Sequence, residues 1–136
     1  MAKRQYSRQI VIRKVDTPPE PSPESKLEWI CECLGIDTDD ELAREIFKAL
    51  VTASEKGQGV STRELKEKSH VTQGAIVYHM NSFMRAGIIV KQGRMYFLRA
   101  HSLEDTIQEM EDEMINMMNR MRKIARLLED DFRMRL

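Results

Sequence analysis

From Leu103 to Leu128 the apolar residues recur at a spacing that few folds accommodate. Leu103, Ile107, Met110, Met114, Met117, Met121, Ile124 and Leu128 step alternately by four and three. Held across about three and a half heptads, this repeat draws a narrow apolar seam along one long helix. Ser102 is placed to cap that helix, and Glu104 and Asp105 fall in its first turn, where the helix dipole favours negative charge. An isolated helix with such a seam needs a partner. Either the same helix of a second copy or the Leu27–Leu34 segment folded back in one chain would serve. Ile115, Met118 and Leu127 widen the seam, so a four-helix contact that includes the N-terminal helix also fits. Methionine is concentrated here from Met110 onward. It packs adaptably, and core filling is the expected use rather than a pocket for an effector.

The chain has 136 residues, which leaves room for one small core with extended appendages. Net charge is zero, but its distribution is uneven. Residues 1–15 hold five basic and no acidic side chains, 16–60 four against eleven, 61–99 seven against two, and 100–136 six against nine. The third segment is therefore locally basic, and a local field is what steers a polyanion. No stretch approaches the roughly 18 apolar residues of a membrane helix, and the start lacks the apolar run of a secretory signal. A soluble cytoplasmic protein is expected.

Along the chain, residues 1–25 read as a basic arm or short strand followed by a linker. Ile10 and Ile12 alternate with Val11 and Arg13, and Asp16–Ser25 (DTPPEPSPES) carries all four prolines and reads as extended. Residues 26–36 form a short amphipathic helix, with Leu27, Ile30, Cys31 and Leu34 on one side and Gly35 as its stop. Residues 37–100 make the main domain. Its first helix has acidic residues crowding its start, a capping-box spacing from Thr38 to Glu41, and a buried stripe of Leu42, Ile46, Leu50 and Ala53 with Ala49 beside it. Gly57 and Gly59 end it. A second capping box, Ser61 to Glu64, opens a short helix with Leu65 inward. Residues 101–136 are the seam-bearing helix.

Between the short helix and Gly87 lies VTQGAIVYHMNSFMRAG (Val71–Gly87). Ile76, Met80, Phe83 and Met84 make its inward stripe, and Gly74, Tyr78, Asn81 and Arg85 lie opposite. Thr72 caps the start. A first turn with open N–H groups, a glycine and Gln73 suits contact with phosphates and base edges. After it, Ile88–Arg99 reads as two β-rich runs around a Gln92-Gly93 turn. Helix, short helix, turn, helix and hairpin form a winged helix-turn-helix, with residues 72–86 in the recognition position. The fold expected is thus mainly α with a small β-hairpin wing and a long C-terminal coiled-coil-like dimerisation helix.

These residues resemble winged-helix transcription regulators of the prokaryotic ArsR/MarR-like group, particularly archaeal forms. The resemblance covers about residues 38–99. It is carried by Leu65, Val71-Thr72-Gln73-Gly74-Ala75-Ile76, Tyr78-His79-Met80, Phe83 and Ala86-Gly87-Ile88-Ile89. It implies that Thr72, Gln73, Gly74, Tyr78 and Asn81 lie at or near double-stranded DNA and that Lys91, Gln92 and Arg94 belong to the wing. Cysteine-pair repressors of this group carry their thiols in the helix before the recognition helix. Here Cys31-Glu32-Cys33 precedes the whole motif, so metal sensing is not carried over.

Each side chain has a plainer reading beside this one. Tyr78 contacts phosphate or packs against the wing or a second subunit. Gln73 and Asn81 read adenine edges or are simply solvated. Lys91, Arg94 and Arg63 meet phosphates or are exposed charges. His79, on the flank of the buried stripe, reads as a core or interface histidine. His70 and His101 are too scattered for a metal site, and Cys31 with Cys33 read as ordinary thiols, Cys31 the more buried. GQGVS and KQGR lack the spacing of phosphate loops. No catalytic constellation, metal site or cofactor is expected.

Three readings follow. One is a homodimeric DNA-binding regulator, a twofold protein reading two half-sites through the Leu103, Ile107, Met110, Met114, Met117, Met121, Ile124 and Leu128 seam. Another is a winged-helix protein-interaction module with a coiled-coil tail, favoured by the neutral net charge and the acidic 16–60 segment. The third, a ligand- or metal-responsive sensor, needs a pocket or ligand cluster.

Overall fold

A computed structural model describes residues 8–135. In chain order they form α1 (Pro23–Cys33), α2 (Glu41–Glu55), β1 (Val60–Ser61), α3 (Thr62–Lys68), α4 (Gln73–Arg85), β2 (Ile89–Gln92), β3 (Met95–Leu98) and α5 (Leu103–Met134). The architecture is mainly helical, with a small antiparallel sheet and a long C-terminal helix. The sheet order is β1-β3-β2, with Val60 opposite Tyr96 and Val90 opposite Phe97.

Four helix starts follow from side-chain caps. Ser22, Ser61, Thr72 and Ser102 each accept the N–H three residues on, satisfying a donor that the helix leaves free. At α2 the expected Thr38–Glu41 box is not formed. Asp40 is the cap, accepting from the Ala43 N–H at 3.1 Å, while Asp37 takes the Asp39 N–H in a turn of its own. Aspartate caps better than threonine, and only Asp40 directly precedes the apolar stripe. Residues 16–25 are also not extended throughout, because α1 begins at Pro23. Proline at the first helical position gives up no bond, since its missing N–H would have had no helical partner. Gly35 and Gly57, at φ +73° and +66°, stop α1 and α2 in the left-handed conformation that glycine adopts freely.

The stripes predicted for α1, α2 and α4 converge on one core. Ile46, Leu50, Ile76, Met80 and Cys31 are fully buried, with Leu27, Ile30, Leu42 and Ala53 packed at the edge. Phe47, absent from the predicted stripe, is the largest of the fully buried side chains and meets Phe83 edge-on at 6.3 Å. Two other departures concern the sheet. β1 was not expected; its two residues gain strand geometry only by pairing with β3. The hairpin turn is Gly93-Arg94, one residue beyond Gln92-Gly93. Gly93 takes the first loop position at φ +62°, the place where a type II′ turn requires positive φ.

The described part of the arm, residues 8–15, has no regular secondary structure and is not paired into the sheet; Met1–Ser7 lie outside the described residues, as does Leu136. It is held as a strap. The Gln9 N–H donates to the Arg85 carbonyl at 2.9 Å and the Arg13 N–H to the Cys33 carbonyl at 2.8 Å. Arg8 pairs with Glu113 on α5 at 2.7 Å, and Arg99, just past β3, pairs with the same carboxylate at 2.7 Å and with Glu109 at 3.2 Å. Partial burial pushes the Glu113 carboxyl up, but the hydrogen bonds and charges of Arg99 and Arg8 outweigh it and hold the group below its ordinary value. Thr106, fully buried, accepts the Ala100 N–H and fastens the first turn of α5 to the end of the sheet.

The seam of α5 is divided. Met110 is only 3% exposed and belongs to the core of its own chain, with Leu103 packed beside it. Met110 is therefore not open to a partner, contrary to the expectation that the whole seam forms an interface. From Ile115 on, Met117, Met121, Ile124 and Leu128 are exposed. α1 lies on α2, so the Leu27–Leu34 segment is not folded against this distal seam. No described helix is long and apolar enough to cross a membrane.

Candidate nucleic-acid interface

The face of α4 away from the core begins at its first turn. Thr72 Oγ1 accepts the Ala75 N–H at 3.2 Å, and the Ile76 N–H reaches the Thr72 carbonyl at 3.4 Å. That leaves the N–H groups of Gln73 and Gly74 without an intrahelical acceptor. No acidic residue lies in this turn, whereas α1, α2, α3 and α5 each have one or more there. An incoming anion therefore meets the positive end of the α4 dipole with no carboxylate on the same turn. A Cβ added at Gly74 would meet nothing nearer than Thr72 Oγ1 at 3.9 Å, so the turn stands open to solvent.

Further along the same face Tyr78 is 65% exposed and Asn81 is exposed, and Arg85 completes the row four residues later. The tyrosine ring is braced from below. It meets the His79 ring edge-on at 5.3 Å, and His79 in turn stacks on Phe83 and reaches the Asp40 carboxylate through Nε2 at 3.1 Å. His79 is thus a packed, partnered histidine, as its place beside the stripe predicts. Arg85 is not among the residues expected at the DNA, although the helical count puts it on this face.

The other predicted residues divide. Lys91 and Arg94 are both exposed on the hairpin, Arg94 at its two-residue tip. The Lys91 ammonium lies 5.5 Å from the centre of the Tyr96 ring, a cation–π placement that steadies the side chain and keeps its charge. Arg63 projects from the first turn of α3, but its Nε is 3.4 Å from Glu67 one turn later. Its charge is therefore shared on the surface.

The surface beside Tyr78 is not uniformly positive. A groove of about 310 Å³ runs between α4 and the strap, with Tyr78, Ser82 and Arg85 on one wall and Asp37 and Asp40 on the other. The Gln73 end of α4 is therefore the more anion-friendly, and the Tyr78 end is mixed in sign. Among the described residues no three histidines, cysteines or carboxylates gather as a metal site. Cys31 is buried, which pushes its thiol up to about 11, with Arg44 lowering and Glu28 raising it by smaller amounts. Compared with known proteins, the chain matches no family model, no curated protein and no solved structure, so no role carries over from a relative.

Proposed function

We propose that this protein is a sequence-specific double-stranded DNA-binding transcription regulator of the winged helix-turn-helix kind, working in the cytoplasm as a homodimer. α4 enters the major groove with its Gln73 end foremost, and the β2–β3 hairpin lies against the backbone or minor groove. The observation that carries this reading is the acid-free, open first turn of α4, continued by the exposed row of Tyr78, Asn81 and Arg85. The order α2, β1, α3, α4, hairpin supports it, as does the basic 61–99 segment. Gln73 and Asn81 have the side-chain amide that pairs with adenine edges. Thr72, Tyr78, Lys91, Arg94 and Arg63 serve the phosphates.

The test is selection from a randomised duplex pool. A twofold-symmetric site should emerge, bound about 10³-fold or more tightly than scrambled DNA at physiological salt. Gln73→Ala or Asn81→Ala should then relax the preference at one position by about 1–3 kcal/mol. Lys91→Ala should weaken all sequences alike and reduce the salt slope by about one. An unenriched pool would sink the reading. The mixed sign of the groove beside Tyr78 favours a second one, a winged-helix protein-interaction module. In that case Tyr78→Ala abolishes partner capture and leaves weak DNA affinity unchanged.

A further inference from the structure

We propose that the groove between α4 and the strap is a binding site for a small amino acid, a molecule that carries an ammonium and a carboxylate on a short apolar body. Its volume of about 310 Å³ stands at the low end of the range that holds small ligands. Its two walls are opposite in charge. Asp37, in the turn before α2, spends one carboxylate oxygen on the Asp39 N–H at 2.9 Å and makes no ion pair among the described residues. Arg85, at the end of α4, is exposed and likewise has no carboxylate partner among the described residues. An anion and a cation thus line one cavity without pairing with each other. Asp40 is different, because the Ala43 N–H donates to one of its oxygens and His79 Nε2 reaches the other. Ile36, Phe83 and Ile88 line the same groove and give it apolar surface.

This set of groups matches a zwitterion better than either of its halves. Asp37 takes the ammonium. Arg85 takes the carboxylate with a fork that suits two parallel hydrogen bonds, and the Ser82 hydroxyl, one turn before it, donates a third. A carboxylate alone leaves Asp37 facing a like charge, and an amine alone does the same to Arg85. The rim is set before any ligand arrives, which lowers the ordering cost of binding. The Gln9 N–H holds the Arg85 carbonyl and the Arg13 N–H holds the Cys33 carbonyl. Val11, between them, packs on Gly35, where an added Cβ would lie 2.8 Å from Val11 Cγ1. Tyr78 and Arg85 belong both to this groove and to the exposed row of α4. A bound amino acid therefore withdraws the Arg85 charge from that row, and it acts as an effector in so far as the DNA-binding reading above holds.

Titration of the full-length protein without DNA tests the site, read from the backbone amide shifts of Ser82, Arg85 and Ala86. The probes are L-leucine and ε-aminocaproate, which hold their two charges at different separations. Isocaproate and isoamylamine are the singly charged controls. One of the zwitterions should bind about tenfold or more tightly than either control, the scale of one hydrogen bond to a charged group. Arg85→Gln and Asp37→Asn should each remove that advantage. Asparagine keeps an oxygen for the Asp39 N–H, so the turn before α2 stays formed. No binding of either zwitterion, equal affinity for the controls, or an advantage that survives both substitutions overturns the inference. With the duplex selected above, saturating zwitterion should then weaken DNA binding by about tenfold, and an unchanged affinity overturns the effector role. Zwitterion binding with no enriched duplex keeps the site and sinks the regulator. An enriched duplex with no zwitterion binding keeps the regulator and sinks the site.

Discussion

The two halves of α5 have the same kind of sequence and opposite circumstances. In the first, Thr106 and Met110 are buried, and Glu109 and Glu113 are gripped by Arg99 and Arg8. In the second, Met117, Met121, Ile124 and Leu128 continue the same periodicity and meet only solvent in the single chain, Ile124 at 63% exposure. Apolar spacing states that a face must be covered. It does not state by what. In the first half Met110 is covered by the chain's own core, and in the second the apolar face stays exposed in the single chain.

The largest expected effect breaks the first half. Met110→Ala should lower stability by about 2–5 kcal/mol, from lost transfer energy and the cavity left behind. Chemical denaturation should show this loss at every protein concentration. Ile124→Asp should act in the opposite way. It leaves the body folded but weakens self-association by about 100-fold, seen by sedimentation, because a charge would enter the paired seam. A variant that melts as Met110→Ala does would erase the distinction between the halves.

A titration sharpens the contrast from the packed side. Cys31 is raised from its ordinary 9.0 to about 11 by burial. The unfolded chain loses this proton first, so stability should be full below pH 9 and fall as the pH rises toward 11. The fall should be about 2–3 kcal/mol in urea melts, and Cys31→Ala should remove it. The smallest effect lies at the junction. Glu113 is held below its ordinary value, so its contribution is present above about pH 4.5 and is lost as the pH falls through the depressed value. The group is partly exposed, and Glu113→Gln should cost about 1 kcal/mol or less. Hydrogen exchange at the start of α5 should nevertheless quicken, while the core amides keep their protection.

What the sequence discloses here is what depends on neighbours in the chain. The caps at Ser61, Thr72 and Ser102, the stops at Gly35 and Gly57, and the stripe of Ile76, Met80 and Phe83 all obey local rules. So does the exposed row of Gly74, Tyr78, Asn81 and Arg85. What stayed hidden depends on distant residues. β1 is two residues long and exists because β3 passes beside it. Arg8 finds Glu113 across 105 positions, a pairing with no local signature. The burial of Met110 could not be told from the exposure of Ile124, because the heptad treats them alike. Asp37 and Asp40 read in the sequence only as a helix start, and it is the fold that brings them to the groove beside Tyr78.

The strap gives the molecule an unusual vulnerability. Carbonyls at the ends of α1 and α4 are satisfied by Gln9 and Arg13, and the root of α5 is clamped by Arg8. One short stretch of chain thus contacts three helices that are far apart in sequence. A protease that trimmed it would fray all three together and loosen the angle between the body and α5. In the proposed dimer, chain trimming here would act as a single irreversible dial on how the two copies address their target.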